Sequence, residues 1–118
     1  MLSYKRSQKV QILMLKGKLH RAVVTETILD YEGSIGIDKN WIEKVGFLPN
    51  EQVHVLNINT GKRLITYVLE EPRDSKKISI NGAAARTAQV GDRIIILSYA
   101  WINETEARWH QPKILSFT

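Results

Sequence analysis

The sequence predicts a single, mainly-β domain with two or three short helices. Many of its apolar stretches are only a few residues long and alternate with polar residues, which is typical of half-buried strands. Short turns rich in Gly, Asn and Asp separate them, and only two segments carry clear helix-capping residues. Because 118 residues is the length of one domain, these elements together predict one compact β-barrel.

Eight segments have the composition of strands. In chain order they are 10–15, 19–26, 34–37, 51–58, 63–69, 78–80, 93–99 and 114–117. The turn N-T-G-K at 59–62 predicts that the fourth and fifth segments form a hairpin. The segment 72–77 is predicted to be a polar loop, and N-G-A-A-A-R at 81–86 a glycine turn that enters small residues.

Two segments are predicted to be short helices. Asp38 is a suitable N-cap for a helix over 39–45, and Gly46 follows at the position where a helix often ends. A second helix is predicted over 104–110, with Asn103 as its N-cap.

Composition and charge exclude several classes of function. The chain has no cysteine, so it can form no disulfide, thiolate nucleophile or Cys-ligated metal site, which fits a reducing compartment. The net charge is +5, and the first 21 residues hold six basic residues and no acidic one. The six are Lys5, Arg6, Lys9, Lys16, Lys18 and Arg21. Since this excess forms an amino-terminal arm and not a basic face, we expect no nucleic-acid partner.

The sequence also lacks a membrane span, a metal-binding motif and the motifs of two common enzyme classes. No apolar run approaches the roughly 20 residues of a membrane span, so we expect a cytoplasmic protein without a membrane partner. His20, His54 and His110 are far apart, and there is no HExxH motif, so we expect no metal. Neither GxSxG nor GxxxxGK[ST] occurs.

Five segments in order carry a resemblance to a known family. They are K-G-K-L-H-R-A, Y-E-G-S-I-G-I-D, N-T-G-K-R-L-I-T-Y, I-S-I-N-G-A-A-A-R and V-G-D-R-I-I-I-L-S-Y. From about Lys16 to Phe117 the chain resembles the pyruvoyl-dependent aspartate 1-decarboxylases, which make β-alanine for pantothenate synthesis. The resemblance implies a double-psi β-barrel, a homotetramer, L-aspartate as substrate, and a pyruvoyl group in place of a metal or pyridoxal phosphate.

The resemblance also implies that the chain cuts itself between Gly33 and Ser34, into 1–33 and 34–118. The Ser34 hydroxyl would attack the Gly33 carbonyl, and elimination and hydrolysis would leave a pyruvoyl group derived from Ser34. That ketone would form a Schiff base with the substrate amine and act as an electron sink. Glycine suits the cut position because it tolerates a strained backbone and leaves its carbonyl open to attack.

The remaining functional residues follow from the same resemblance. Tyr67 corresponds to the proton donor, Arg63 and Lys18 to residues that hold substrate carboxylate, and Thr66 to a residue that aids processing and touches substrate. The substrate-binding turn corresponds to Asn81 and the backbone of Gly82, Ala83 and Ala84.

The spacing of three of these residues raises a conflict. On one strand, Arg63 and Tyr67 share a face, because they are four residues apart, whereas Thr66 lies on the other face. A single pocket would then need a β-bulge between them or a boundary between subunits.

Some positions depart from the family pattern, and alternatives stay open. Gly36, the second residue after Ser34, is expected to loosen the backbone there and to alter the rate of cutting. Arg86 and Thr87 differ from some relatives, so the substrate could be another acidic amino acid; glutamate differs by one methylene, worth about 1–3 kcal/mol of discrimination. The other alternative is an uncleaved barrel that binds an anionic partner through its basic arm, and a maturation factor is a further open partner.

Overall fold

A computed structural model describes residues 10–118 of the chain. Within that range the strands are β1 Gln11–Val23, β2 Glu26–Ile28, β3 Ser34–Asp38, β4 Gln52–Asn57, β5 Arg63–Glu71, β6 Ile78–Asn81, β7 Arg93–Asn103 and β8 Lys113–Ser116. The helices are α1 Lys39–Val45, α2 Glu104–Ala107 and a 3-10 helix, Gly82–Thr87. The predicted mainly-β class with two or three short helices is confirmed. Lys5, Arg6 and Lys9 of the predicted basic arm lie outside the described residues.

β1 is a single strand of 13 residues, so the prediction of separate strands at 10–15 and 19–26 is wrong. Its pairing with β7 is interrupted at Lys16 and at Arg21, and Arg21 adopts a positive φ of 70°. β-Bulges at these two positions accommodate the polar residues without ending the strand. Only the end of the second predicted strand, at Glu26, belongs to the short strand β2.

α1 begins and ends where the capping residues predict. The Asp38 carboxylate accepts a hydrogen bond from the backbone N–H of Asn40 at 2.8 Å, and Gly46 ends the helix with a φ of 74°. The same carboxylate accepts a bond from the backbone N–H of Lys76 at 2.8 Å. Asp38 therefore fixes the end of β3 to both α1 and the polar loop before β6.

The carboxyl-terminal elements differ from the prediction in length. β7 continues to Asn103, and α2 covers only Glu104–Ala107 instead of 104–110. Asn103 occupies the N-cap position but makes no capping hydrogen bond; its side chain accepts a bond from Gln11 at 3.4 Å. β7 therefore continues beyond the aliphatic residues from which the strand was predicted.

The strands form one mixed sheet in the order β2-β6-β3-β5-β4-β7-β1-β8. β4 and β5 form the predicted antiparallel hairpin. β3 lies between β5, to which it is parallel, and β6, to which it is antiparallel. The first residue of β3 is therefore flanked by one residue of each neighbouring strand.

A single apolar core holds the sheet together. Side chains from six strands are fully buried in one cluster, among them Leu19, Ile35, Val53, Val68, Ile80 and Ile96. Each such side chain contributes about 1.5–3 kcal/mol through burial. Since β6 and β1 lie near opposite ends of the sheet order, a shared core requires the sheet to curve around it. Among the described helices, none has both the length and the apolar character needed to cross a membrane.

Candidate active site

Ser34 opens β3 close to two of the predicted site residues. It pairs directly with Asn81 on β6. On the other side the parallel pairing with β5 begins one residue later, between Ile35 and Val68, and Tyr67 is the residue before Val68. The side chain of Ser34 is fully buried. Residues from three separate segments of the sequence are thus adjacent across β5, β3 and β6.

A continuous chain of hydrogen bonds passes through Ser34. The Ser79 hydroxyl donates to Asn81 Oδ1 at 2.7 Å, and Asn81 Nδ2 donates to Ser34 Oγ at 3.0 Å. The Ser34 hydroxyl in turn donates to the backbone carbonyl of Glu32 at 3.1 Å. The nucleophile predicted from the sequence is therefore held by an amide donor and a carbonyl acceptor.

The peptide bond before Ser34 is approached by the glycine turn. Gly82 has a φ of 78°, and a Cβ added there would lie 2.8 Å from Gly33 Cα and 2.9 Å from the carbonyl oxygen of Tyr31. Only glycine permits this approach. Gly33 itself is exposed, and a Cβ there would meet nothing within 4 Å. Gly33 does not have a positive φ. The free space around its backbone, and not a left-handed conformation, therefore distinguishes this position.

The two alanines of the predicted turn lie in the 3-10 helix. Ala83 is exposed, and Ala84 packs against the core. The Thr87 hydroxyl donates to the Ala84 carbonyl at 2.6 Å, which closes the helix. The turn is therefore a short, internally bonded element that begins at Asn81.

Tyr67 is half-buried, and its phenol lies near the segment that precedes Ser34. Burial raises the pKa of Tyr67 above its usual range, and the negative charge of Glu32 raises it further. The phenol therefore keeps its proton at pH values where an ordinary tyrosine begins to lose it.

The strand that carries Tyr67 has no bulge between it and Arg63. The two strands of the hairpin pair residue by residue, from Leu56 with Arg63 to Gln52 with Tyr67, and Thr66 pairs with Val53. Arg63 and Tyr67 thus share a face, and Thr66 lies on the opposite one, as the spacing predicted. The conflict noted from the sequence remains within the chain.

Arg63 and Lys18 are not brought to Ser34 in the same chain. Arg63 is exposed, lies about 13 Å along the strand from Tyr67, and contacts His54 Nδ1 at 3.2 Å. Lys18 is on β1, which β5, β4 and β7 separate from β3 along the sheet. Among the described residues, no hydrogen bond or ion pair links either side chain to Ser34, Asn81 or Tyr67.

Two features near this region were not identified from the sequence. Ser79 could have been found, because a residue two before Asn81 on a strand shares its face. The contribution of Glu32 required the fold, since its relation to Tyr67 depends on which strands pair.

An open groove of about 280 Å³ also lies on the sheet, lined by Leu13, Gln52, His54, Tyr99 and Trp101. Between residues 10 and 118, no group of three His, Asp or Glu side chains could hold a metal ion.

Comparison with known proteins identifies the family. Residues 10–118 match the family described as Aspartate decarboxylase. The chain is 55% identical over 106 residues to the aspartate 1-decarboxylase of Maricaulis maris, covering 90% of this chain and 88% of that protein. It is 55% identical over 106 residues to the same enzyme of Thermoanaerobacter pseudethanolicus, covering 90% and 91%.

A further relative, the aspartate 1-decarboxylase of Carboxydothermus hydrogenoformans, is 54% identical over 104 residues, covering 88% of this chain and 82% of that protein. Among solved structures, the rationally designed mkDPBB_sym1 protein aligns with a TM-score of 0.48 and 16% identity, covering 74% of this chain and 96% of that one. On the family match and the three relatives, the chain belongs to the aspartate decarboxylase family.

Proposed function

We propose that this member of the aspartate decarboxylase family cuts its own chain between Gly33 and Ser34 and then decarboxylates L-aspartate to β-alanine and carbon dioxide. The observation that carries the proposal is the position of Ser34, buried and paired with Asn81 across the sheet, with its Oγ bonded to the Asn81 amide. The substrate is taken from the relatives' name, aspartate 1-decarboxylase. The use of β-alanine in pantothenate synthesis is taken from the family resemblance.

Self-cleavage begins at the hydroxyl of Ser34. Its Oγ attacks the carbonyl carbon of Gly33, its proton passes to the Ser34 nitrogen, and the amide bond breaks to leave an ester. Loss of the Ser34 Cα proton expels the Gly33 carboxylate and leaves dehydroalanine. Water then replaces the nitrogen, which departs as ammonia, and a pyruvoyl group begins the second chain. The products are 1–33 and 34–118 without the original Ser34 nitrogen.

The contacts in the uncut chain support the first step. The Ser34 hydroxyl must turn from the Glu32 carbonyl toward Gly33, and the exposed position of Gly33 leaves that approach open. The Asn81 amide keeps its bond to Oγ or to the Gly33 oxygen as negative charge develops. We assign Thr66 its predicted part in processing, although it lies on the other face of the strand.

The residues around Ser34 fit a pyruvoyl group. Asn81 Nδ2, which donates to Ser34 Oγ, leaves a hydrogen-bond donor next to the carbon atoms that would become the pyruvoyl group. Gly82 leaves the space beside it free of side chain. The pyruvoyl ketone supplies an electron sink for the pair of electrons released when carbon dioxide leaves.

Tyr67 is assigned the return of the proton to the substrate's α-carbon. The phenol carries its proton at physiological pH, as a proton donor requires, and the raised pKa extends this to more alkaline pH. Its position on β5 directly before Val68, the partner of Ile35 on β3, supports this assignment. The backbone of Gly82, Ala83 and Ala84 is assigned to bind substrate at the same end of β3.

Arg63 and Lys18 are assigned to hold substrate carboxylate from a neighbouring copy of the chain. In the described part of the chain neither side chain is bonded to Ser34, Asn81 or Tyr67, and Arg63 is instead bonded to His54, which supports this assignment. A homotetramer, as implied by the family, supplies the subunit boundary. The absence of cysteine fits a reducing compartment, and we place the enzyme in the cytoplasm.

Intact mass spectrometry under denaturing conditions tests the first half of the proposal. We expect two fragments separated between Gly33 and Ser34, the second blocked by pyruvoyl, and a single 13.5 kDa species for Ser34→Ala. A wild-type chain that stays whole after prolonged warming would contradict self-cleavage without a partner.

Carbon dioxide release by the cleaved protein tests the second half. L-Aspartate is expected to be turned over faster than L-glutamate and the N-methylated forms of either. Release from glutamate alone would move the assignment to another acidic amino acid. An uncleaved protein with salt-sensitive binding to anions would favour the binding module instead.

A further inference from the structure

Ser79 is a buried polar residue to which neither the sequence resemblance nor the relatives' names assign a role. It lies on β6 two residues before Asn81, and its side chain is fully buried. Its register partner on β3 is Gly36, as Ser34 is the partner of Asn81. The two polar residues of β6 therefore face the same side as the start of β3, and Ser79 donates to Asn81 at 2.7 Å.

The direction of this hydrogen-bond chain is set at its far end. The Glu32 carbonyl can only accept, so the Ser34 hydroxyl must donate to it. The Ser34 oxygen is then free to accept, and Asn81 must present its NH₂ group to it. That orientation leaves Asn81 Oδ1 pointing to Ser79, whose hydroxyl is the donor that satisfies it.

We propose that Ser79 is a positioning residue that fixes the orientation of the Asn81 amide, and through it the rate of self-cleavage. This inference rests on the proposed function. A carboxamide can turn by half a revolution with little change of shape, so packing alone does not choose between its two orientations. Asn81 is 2% exposed, so water offers its oxygen little alternative.

The orientation matters in the first step of cleavage. A turned Asn81 could still accept a bond from the Ser34 hydroxyl, but it would then present an acceptor where negative charge develops. Loss of the Ser79 hydroxyl is therefore expected to slow cutting.

The test compares Ser79→Thr with Ser79→Val, because the two side chains have nearly the same shape and only threonine retains the hydroxyl. We measure the half-time of cleavage by mass spectrometry and the thermal midpoint. Relative to Ser79→Thr, Ser79→Val is expected to cleave about tenfold more slowly. Equal rates for the two variants would overturn the inference, whatever their stabilities.

Ser98→Ala is the matched control. Ser98 is also buried in a strand, but its hydroxyl has no hydrogen-bond partner among the described residues. Its loss should not change the half-time of cleavage. Slowing by Ser98→Ala as large as that by Ser79→Val would assign the effect to general loosening and overturn the proposal.

A double substitution shows whether Ser79 acts through Asn81. In an Asn81→Ala background, replacing Ser79 by valine instead of threonine should change the cleavage half-time by less than about twofold, because the group that it orients is gone. A full tenfold effect there would contradict a positioning role. Wild-type protein that neither cuts itself nor releases carbon dioxide would refute the proposed function itself, and is thereby distinguished from failure of this inference.

Discussion

Around Ser34 the polar side chains are buried and bonded to one another, whereas Arg63 and Lys18 lie on the sheet without a bond to that cluster. Ser34, Asn81 and Ser79 are each at most 2% exposed and form one chain of bonds across two strands. Arg63 is exposed and contacts only the ring of His54 through its side chain in the described part of the chain. This difference is the basis for the proposal that one chain contains what self-cleavage needs, while substrate binding depends on a second copy.

The largest expected effect separates the two reactions at Tyr67. Tyr67→Phe should leave cleavage intact, because Ser34 and Asn81 keep their bonds, and should lower decarboxylation about 100- to 10,000-fold by removing the proposed proton donor. Mass spectrometry and carbon dioxide release measure the two reactions on the same sample. Loss of cleavage in this variant would mean that Tyr67 takes part in self-cleavage. It would then not separate the two reactions.

Gly82→Ala should disturb the Ser34 cluster most among the glycine substitutions. An alanine with φ near 78° costs about 1–2 kcal/mol, and its Cβ would also overlap the backbone of Gly33. We expect a loss of more than about 2 kcal/mol in urea unfolding, together with slower cutting.

Gly61→Ala is the control for backbone strain alone. Gly61 has a φ of 76°, and a Cβ there would meet nothing within 4 Å. It should cost only about 1–2 kcal/mol and leave the half-time of cleavage unchanged. Equal costs for the two variants would mean that the turn does not press on Gly33.

Arg63→Ala tests the other region. It should cleave at the wild-type rate and lose about 10- to 100-fold in kcat/KM, the effect of one charge-assisted hydrogen bond to carboxylate. Mixing it with Ser34→Ala, under conditions where subunits exchange, should restore activity, because each variant supplies what the other lacks. Failure to restore activity despite demonstrated exchange would place Arg63 and the pyruvoyl group of one chain in the same site.

The alkaline titration of Tyr67 gives a smaller, spectroscopic test. Its pKa is raised by burial and by Glu32, so the folded state holds this proton more tightly than the unfolded state does. The resulting stabilisation is fully present below about pH 10, the ordinary tyrosine pKa, and is lost as the pH rises through the folded value. Phenolate absorbance of wild type minus Tyr67→Phe should rise above pH 10; a midpoint at or below 10 would contradict the raised pKa.

The comparison also explains which features the sequence could predict. α1 was predictable to the residue because Asp38 and Gly46 are local signals that depend on nothing else in the chain. β1 was not, because whether K-G-K ends a strand or forms a bulge depends on the partner strand β7. The faces of Arg63, Thr66 and Tyr67 followed from strand periodicity alone.

The relation among Ser34, Asn81 and Tyr67 had a different origin. Their roles came from the family resemblance, and their adjacency depends on β3 lying between β5 and β6, which no local pattern encodes. The double-psi β-barrel likewise came from the resemblance, whereas periodicity predicted only a small, mainly-β domain.

The smallest expected effect concerns Gly36, whose flexibility was expected to alter the rate of cutting. Gly36 is buried and paired in register with strands on both sides, so its backbone is already restrained. A Cβ there would overlap the end of the Glu71 side chain, which can rotate away, while glycine within a strand costs about 0.5–1 kcal/mol relative to alanine. Gly36→Ala should therefore change stability by less than about 1 kcal/mol and leave cleavage within about threefold of wild type.

In a Glu71→Ala background, where the overlap is gone, the same substitution should become stabilising in urea unfolding. A large slowing of cleavage by Gly36→Ala in both backgrounds would instead mean that freedom two residues beyond Ser34 is part of the reaction, and that the buried cluster is less rigid than its hydrogen bonds indicate.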